Sequence, residues 1–449
     1  MREAVAVVLM SADEIFMVQR QEYLPSFPGY FSFPGGLIDR ADEVDSGIPL
    51  PSVFHHLKPV MARALLREVK EECGIDLTVE ALFRVRELGE ATTPSFNPYR
   101  FKTSFILVEL ASRPEMKIDQ GEIKRVFWRS PRALFERYLE GRMLAVPPTV
   151  ELLKNLSKDS YWRQPTVLDL NLRYDEERLV PMIEPLKGVK QFLPLSHTFP
   201  PANRTNCFLL GDRLSLLVDP SPKDEKEYRK LLRSIRPYKI DRLFITHHHP
   251  DHHEHAPELA KELRVPLMMS EWTRDMIMQC WGRSYFRGSD IKIVKDGEHV
   301  TTWQGQEVVA HHLPGHDQGQ LGLAPEKLDW FIVSDLIQTI GTVVIAAPEG
   351  NMKSYFESLE RVISMNPKVI FPSHGIGLGG VHKLQETLKH RKEREEQVRE
   401  LMTQTQDLEV IFQAIYPNLD YALKRYALKT IEAHIVKLTE EAKENRSGL

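Results

Sequence analysis

The sequence predicts an α/β protein, with sheets covered by helices and a helical tail at the end. Two observations carry that prediction. Between residues 191 and 380, short apolar runs (214–218, 242–246) alternate with helical patterns (225–235, 256–263), as layered α/β folds require. From residue 383 onward the period turns helical, with Leu423, Tyr426, Ala427, Thr430, Ile431, His434, Ile435 and Leu438 on one face.

Size and composition bound the rest. At about 150 residues per domain, 449 residues predict two to four domains. A hydrophobic share of 42% with 27% charged residues is ordinary globular composition and excludes a mainly disordered chain. No apolar run nears the roughly 18 residues of a membrane span. With 59 basic and 63 acidic residues, a net charge of -4 gives no electrostatic case for nucleic acid. Three scattered cysteines suit a reducing cytoplasm.

The elements follow in order. Residues 4–10 are apolar but run straight into Ser11-Ala12-Asp13-Glu14, which reads as a strand rather than a secretion signal. Residues 60–72 read as a helix and 105–110 as a strand. We take 1–155 as the first domain. A polar, proline-spaced stretch marks 156–190 as a linker, although 167–172 has the makings of an edge strand. The α/β block occupies 191–382, with further buried strands at 330–333 and 369–372. The helical C-terminal region is 383–449, and its mixed-sign charge tract at 389–400 reads as a solvated helix face.

The most informative motif is Thr246-His247-His248-His249-Pro250-Asp251-His252, placed directly after an apolar run. Imidazoles and a carboxylate delivered together at a strand end form the donor set that zinc prefers. His316, Asp335 and His374 each follow a later apolar run, so all four clusters sit at carboxyl ends of strands, where α/β folds build their sites. This order resembles the metallo-β-lactamase superfamily, an αββα sandwich. The resemblance implies two zinc ions, one on His247, His249 and His316, the other on Asp251, His252 and His374, with Asp335 bridging. It makes Asp251 the group orienting the nucleophile and Asp219 a support behind a ligand. Thr205-Asn206-Cys207-Phe208-Leu209 and His390-Arg391-Lys392-Glu393-Arg394-Glu395 resemble the branch called β-lactamase-like protein 2, which carries a winged-helix-like C-terminal region. His253-Glu254-His255 departs from that branch's small residues and would crowd the next helix.

The first block holds a second motif, Arg67-Glu68-Val69-Lys70-Glu71-Glu72-Cys73-Gly74-Ile75. Its three glutamates fall at i, i+3 and i+4, on one helical face. Oxygen donors so placed repel one another unless a hard cation such as magnesium or manganese lies between them. With Phe33-Pro34-Gly35-Gly36 upstream, the segment resembles the Nudix box, whose domain is an α/β/α sandwich. Gly36 and Arg67 stand farther apart than in the short box, by an insert of about 17 residues. The first acidic position falls at Asp42 or Glu43. The insert and the residues Arg100-Phe101-Lys102-Thr103 resemble the coenzyme-A-diphosphatase-like branch, with Lys102 where that branch has Asp. The resemblance implies that Glu68, Glu71 and Glu72 hold Mg2+ or Mn2+ and makes Glu122 a candidate general base.

Together these features predict a bifunctional metal-dependent hydrolase. The histidine centre would cut an ester, thioester or phosphodiester. The Nudix domain would cut a nucleoside-diphosphate-linked compound such as a coenzyme A derivative. The competing reading is an endoribonuclease whose Nudix domain binds RNA or nucleotide without catalysis. No membrane partner is expected.

Overall fold

The structure, a computed structural model, describes residues 1–44, 50–97 and 100–447. The chain divides into two compact units: Met1–Tyr174 with Glu184–Lys187, and Asp175–Ile183 with Gly188–Leu449. No described helix is long and apolar enough to cross a membrane.

The first unit is a mixed sheet between helices. Its central strand Arg2–Ser11 pairs in parallel with Phe101–Leu110 along its whole length, and antiparallel with Glu14–Arg20. Alternate side chains point to opposite faces, as a strand dictates. Val5, Val7 and Leu9 pack with Ala62, Leu65 and Val69 of the helix Pro59–Cys73. Val8 and Met10 pack with Leu134 and Leu152 of the helices Pro131–Leu139 and Pro147–Leu156 on the other side. The helix Pro59–Cys73 begins at a proline, whose missing N–H costs nothing at that position. It ends at Gly74, whose φ of 70° lets its N–H bond back to the Lys70 carbonyl.

The stretch expected to be a linker is mostly irregular chain with short elements set in it. It carries a helix, Asp159–Arg163, and an edge strand, Leu168–Asp169, parallel to Leu82–Thr92. The reason is apolar: Tyr161 and Leu170 are buried in the first unit's core, a demand hidden behind the polar composition around them.

The second unit is an αββα sandwich. One sheet includes, in spatial order, Ile291–Ile293, Leu267–Met269, Arg242–Phe244, Leu216–Val218, Cys207–Leu210 and Val189–Phe192. The other runs His299–Trp303, Gln306–His312, Leu321–Pro325, Phe331–Ser334, Val369–Pro372 and Leu378–Gly379. Strands covered on both faces read as unbroken apolar runs, which is why they stood out in the sequence. Phe208 of the first sheet meets Phe371 of the second at 5.7 Å between ring centroids. The helices Glu225–Ile235 and Ala256–Leu263 cover one sheet, and Met352–Met365 covers the other.

The tail folds into three helices, His382–Met402, Leu408–Ile415 and Tyr421–Ser447, as part of this second unit. Among the described residues beyond 382 there is no strand, so the tail is helical without the wing that the resemblance implied. Its apolar face is buried at Val398, Ile411, Phe412, Ile431 and Leu438.

Candidate metal centre and a glutamate helix

The strand Arg242–Phe244 ends because Asp219 intervenes. That carboxylate accepts from Thr246 N at 2.8 Å and Thr246 Oγ1 at 2.7 Å. The chain then turns through His247, His248 and His249 into the short helix Pro250–His253. His316, Asp335 and His374 arrive from the second sheet, just after Gln306–His312, Phe331–Ser334 and Val369–Pro372. All seven residues are buried or nearly so, and they meet where the two sheets' carboxyl ends converge.

Two groups form. His249 Nδ1 lies 3.0 Å from His247 Nε2 and 2.9 Å from His316 Nε2, bringing three imidazole nitrogens to one point. Beside it, His374 Nε2 lies 3.4 Å from Asp251 Oδ2, and His252 Nε2 lies 3.7 Å from the same oxygen. Asp335 stands between the groups, 3.7 Å from His316 Nε2 and 3.4 Å from His374 Nε2.

Surrounding acceptors set the ring tautomers. Asp219 Oδ2 accepts from His252 Nδ1 at 2.8 Å, the Val344 carbonyl from His316 Nδ1 at 2.8 Å, and the Arg204 carbonyl from His374 Nδ1 at 3.0 Å. Each partner only accepts, so each Nδ1 carries a proton and each Nε2 faces inward. That is the second-layer arrangement of metal-ligating histidines.

Electrostatics agree. Burial, reinforced by the neighbouring imidazoles, lowers the His247 and His249 pKa values well below the usual range and keeps both rings neutral. Burial also opposes charge on His252, but Asp251 and Asp219 outweigh it and push that pKa up to about 10, so at neutral pH this ring holds a second proton at Nε2, the positive charge that a metal ion there would replace. Burial works against the Asp335 carboxylate too, yet His374 and His252 hold it ionised. His252 Nε2 and Asp335 Oδ1 are buried without any hydrogen-bond partner. A buried polar atom left unpaired is costly, and a cation that displaces the His252 proton is a partner that would satisfy both. The residues therefore fit a divalent metal.

The extra groups after the motif turn elsewhere. His253 Nδ1 meets the Tyr285 hydroxyl at 2.7 Å, its Nε2 donates to the His248 carbonyl at 2.9 Å, and Glu254 pairs with His197 at 2.7 Å. The structure adds residues the motif did not flag. His248 is bonded to Asp317, tying the loop of one sheet to the loop of the other. Thr198 Oγ1 lies 3.4 Å from His374 Nε2, and Gln338 Nε2 donates to Asp335 at 3.2 Å. No local pattern announces the partners of His248 and His374, which lie 69 and 176 positions away.

The glutamate helix of the first unit is a different arrangement. Glu72 is buried, Glu68 has 12% of its side chain exposed and Glu71 60%. Arg67 lies between them, donating to Glu68 at 2.8 Å and to Glu71 at 3.0 Å. It also grips both oxygens of buried Asp42, at 3.0 and 2.9 Å, so Asp42 rather than Glu43 pairs with the arginine of the box. Burial, then repulsion from Glu122 and Glu68, pushes the Glu72 pKa up to about 8. A Cβ at Gly36 would lie 2.4 Å from Glu68 Oε1, so the glycine leaves the room that this carboxylate occupies. Among the described residues, every group of three ligand atoms within 4.8 Å belongs to the second unit; Glu68, Glu71 and Glu72 do not form one. Glu122 is exposed at the turn before the strand Ile123–Arg129.

Residues 1–147 match the NUDIX domain family model and residues 200–374 the model of the metallo-beta-lactamase superfamily. The fold, the converging donors and these two matches define a metal-dependent hydrolase. Among its relatives is the Beta-lactamase-like protein 2 homolog of Drosophila melanogaster, 26% identical over 53% of this chain and 83% of the relative. The atrochrysone carboxyl ACP thioesterase of Aspergillus fumigatus is 23% identical over 43% of this chain and 58% of its own. The crystal structure of a beta-lactamase domain protein from Burkholderia ambifaria shares the fold of the second unit. It superposes with a TM-score of 0.51 at 22% identity, covering 58% of this chain and 88% of that one.

Proposed function

We propose that the protein is a bifunctional hydrolase, with a two-zinc centre for a thioester or related ester bond and a magnesium-dependent Nudix centre for a nucleoside-diphosphate-linked compound such as a coenzyme A derivative. The observation that carries the first half is the pair of buried, partnerless ligand atoms, His252 Nε2 and Asp335 Oδ1, facing two groups of inward lone pairs. His247, His249 and His316 would hold one ion, Asp251, His252 and His374 the other, with Asp335 between. Bound zinc would supply an acidified water and a clamp for developing negative charge. The protein's own part is to place Asp251 as the carboxylate that orients the water and takes its proton. Asp219 and the Val344 and Arg204 carbonyls hold the rings so that no reorganisation is needed. The thioesterase among the relatives supports a thioester, and the Beta-lactamase-like protein 2 homologue supports the same branch of the superfamily.

In the first unit, Glu68 and Glu72 would take magnesium, with Glu71 leaving Arg67 to complete the site and Glu122 acting as the base. Repulsion among these carboxylates is the strain a cation would relieve. The test is elemental analysis followed by turnover of the zinc-loaded protein on acyl thioesters, short RNA oligomers and a generic phosphodiester. About two zinc ions per chain with thiol release supports the reading. Near-zero metal that adding zinc does not restore, or cleavage of RNA alone, overturns it in favour of no di-metal centre or of the nuclease.

A further inference from the structure

We propose that a cleft at the start of the tail helix His382–Met402 is a subsite for an anionic arm of the substrate, a carboxylate or phosphate carried close to the bond that is cut. The cleft holds about 180 Å3 and is lined by Gln338, Val343, Tyr355, Lys383, His390 and Arg391. This deepens the hydrolase reading above and rests on it.

Three walls of the cleft stand one step from the histidine centre. Gln338 reaches Asp335 directly, at 3.2 Å. Val343 precedes Val344, whose carbonyl holds His316 at 2.8 Å. The Tyr355 hydroxyl donates to the Leu336 carbonyl at 2.8 Å, and its backbone lies so near Gly315 that a Cβ there would come within 2.3 Å. A cleft whose walls touch the ligands or their chain neighbours is placed to hold an anionic arm of a substrate bound at that centre.

The lining charge is positive. Lys383 pairs with Glu386 at 2.7 Å, so those two nearly cancel. Arg391 has no carboxylate partner among the described residues. It donates to the Val343 carbonyl and lies 5.7 Å from the Tyr355 ring centroid. A guanidinium left with unused donors beside a cleft is suited to an oxyanion, which it can grip through two parallel bonds. His390 and the hydroxyl of Thr342 add further donors at the rim, whereas the Thr387 hydroxyl already donates to the Lys383 carbonyl at 2.8 Å. This accounts for part of the sequence motif at 390–395. His390 and Arg391 face the cleft, whereas Arg394 lies on the Tyr416 ring and Glu395 is buried in the tail's own core. A strut that merely pins the tail would explain the bond to Val343 but would not need charge left unneutralised.

The zinc-loaded full chain is titrated calorimetrically with inorganic phosphate and, separately, with succinate. Wild type is compared with Lys383→Gln/Arg391→Gln and with Lys392→Gln, whose lysine instead pairs with Glu360 at 2.7 Å. The double variant should bind the better probe about tenfold more weakly with unchanged metal content, while Lys392→Gln should match wild type. Phosphate the tighter assigns a phosphate arm, succinate the tighter a carboxylate arm. Equal affinity in wild type and double variant places the anions on the metals alone and overturns the proposal. Should the double variant fail to fold, Arg391→Lys, which keeps a cation for the Val343 carbonyl but loses the two-pronged grip, must weaken binding by about threefold, and no change overturns it. Kinetics then compare a succinyl with a butyryl thioester. The succinyl preference of wild type should shrink in the double variant, and its persistence overturns the proposal. No turnover of any thioester sinks the thioester reading, while probe binding still decides the subsite.

Discussion

The histidine centre and the glutamate helix both gather donors for a cation, and they do so by opposite routes. In the histidine centre three of the rings, His252, His316 and His374, are locked from behind by Asp219 or a backbone carbonyl. Its lone pairs already converge, and buried atoms stand unpaired. In the glutamate helix the donors repel one another, and Arg67 occupies two of them from the same side. The neutral His247 and His249 rings pack together without Coulombic cost and His252 offsets the aspartates beside it, whereas the glutamates repel one another with Arg67 to offset them. The first site is thus preorganised by the protein, and the second must be completed by its ion. On the proposed reading, that difference would give tight binding of a borderline-soft ion at one and exchangeable binding of a hard ion at the other.

The comparison breaks first at Asp335. Its carboxylate lies between the two donor groups, so Asp335→Ala should release metal and lower hydrolysis at this centre by about a thousandfold. Metal content by elemental analysis, alongside turnover, checks it. Both ions retained with near wild-type rate would show that the groups do not act as one centre.

Metal exchange sharpens it next. After strong chelation, magnesium alone should restore diphosphate hydrolysis and leave ester cleavage silent. Glu71→Gln should cost the first activity about a hundredfold and spare the second, and His249→Ala should do the reverse. If both variants destroy one and the same activity, the two-centre account is wrong.

A milder test sits behind the ligands. Asp219→Asn keeps shape but removes the charge that holds His252, so zinc affinity should fall about tenfold to a hundredfold. Competition with a calibrated chelator reads this directly. Unchanged affinity would mean that the orientation of His252 is set elsewhere.

How much of this was legible beforehand differs between the two sites for a physical reason. The helices Glu225–Ile235 and Ala256–Leu263 and the strand Val369–Pro372 fell where periodicity and buried apolar runs put them. The histidines were readable because strand ends bring donors together whatever lies between them. Their backing was not, since Val344 and Arg204 act through carbonyls that every residue possesses. Nor was the bond between His248 and Asp317, whose residues are 69 positions apart. On the glutamate helix, spacing gave the shared face but not the burial gradient from Glu72 to Glu71, which depends on what packs above each residue. The ambiguous Asp42 or Glu43 was settled only by which carboxylate Arg67 reaches. Within the stretch expected as a linker, the edge strand at Leu168–Asp169 fell where 167–172 was read as one, while the burial of Tyr161 was hidden by its polar neighbours.

The smallest effect concerns the tail that supplies the cleft's cations. Glu395 is buried between His434 and Lys437, accepting from Lys437 at 2.7 Å and from His434 at 3.3 Å. Burial alone would raise its pKa, but His434 and Lys437 outweigh burial and hold it below the usual glutamate range. Burial likewise opposes charge on Lys437, yet Glu395 and Glu441 raise its pKa. The signs fix a window. A depressed carboxylate stabilises above its unfolded pKa and loses that contribution as pH falls through the folded value. A raised lysine stabilises below its unfolded pKa and loses it as pH rises through the folded value. Tail packing should therefore be firmest between the carboxylate and lysine ranges and weaken at both ends. Glu395→Gln should lower the melting temperature by a few degrees, about 2–4 °C per kcal/mol for a unit of this size, and flatten the acid limb of the profile. A variant that melts like wild type at neutral pH and keeps the same acid limb would show that this buried trio contributes nothing to holding the tail, leaving its apolar face to do so alone.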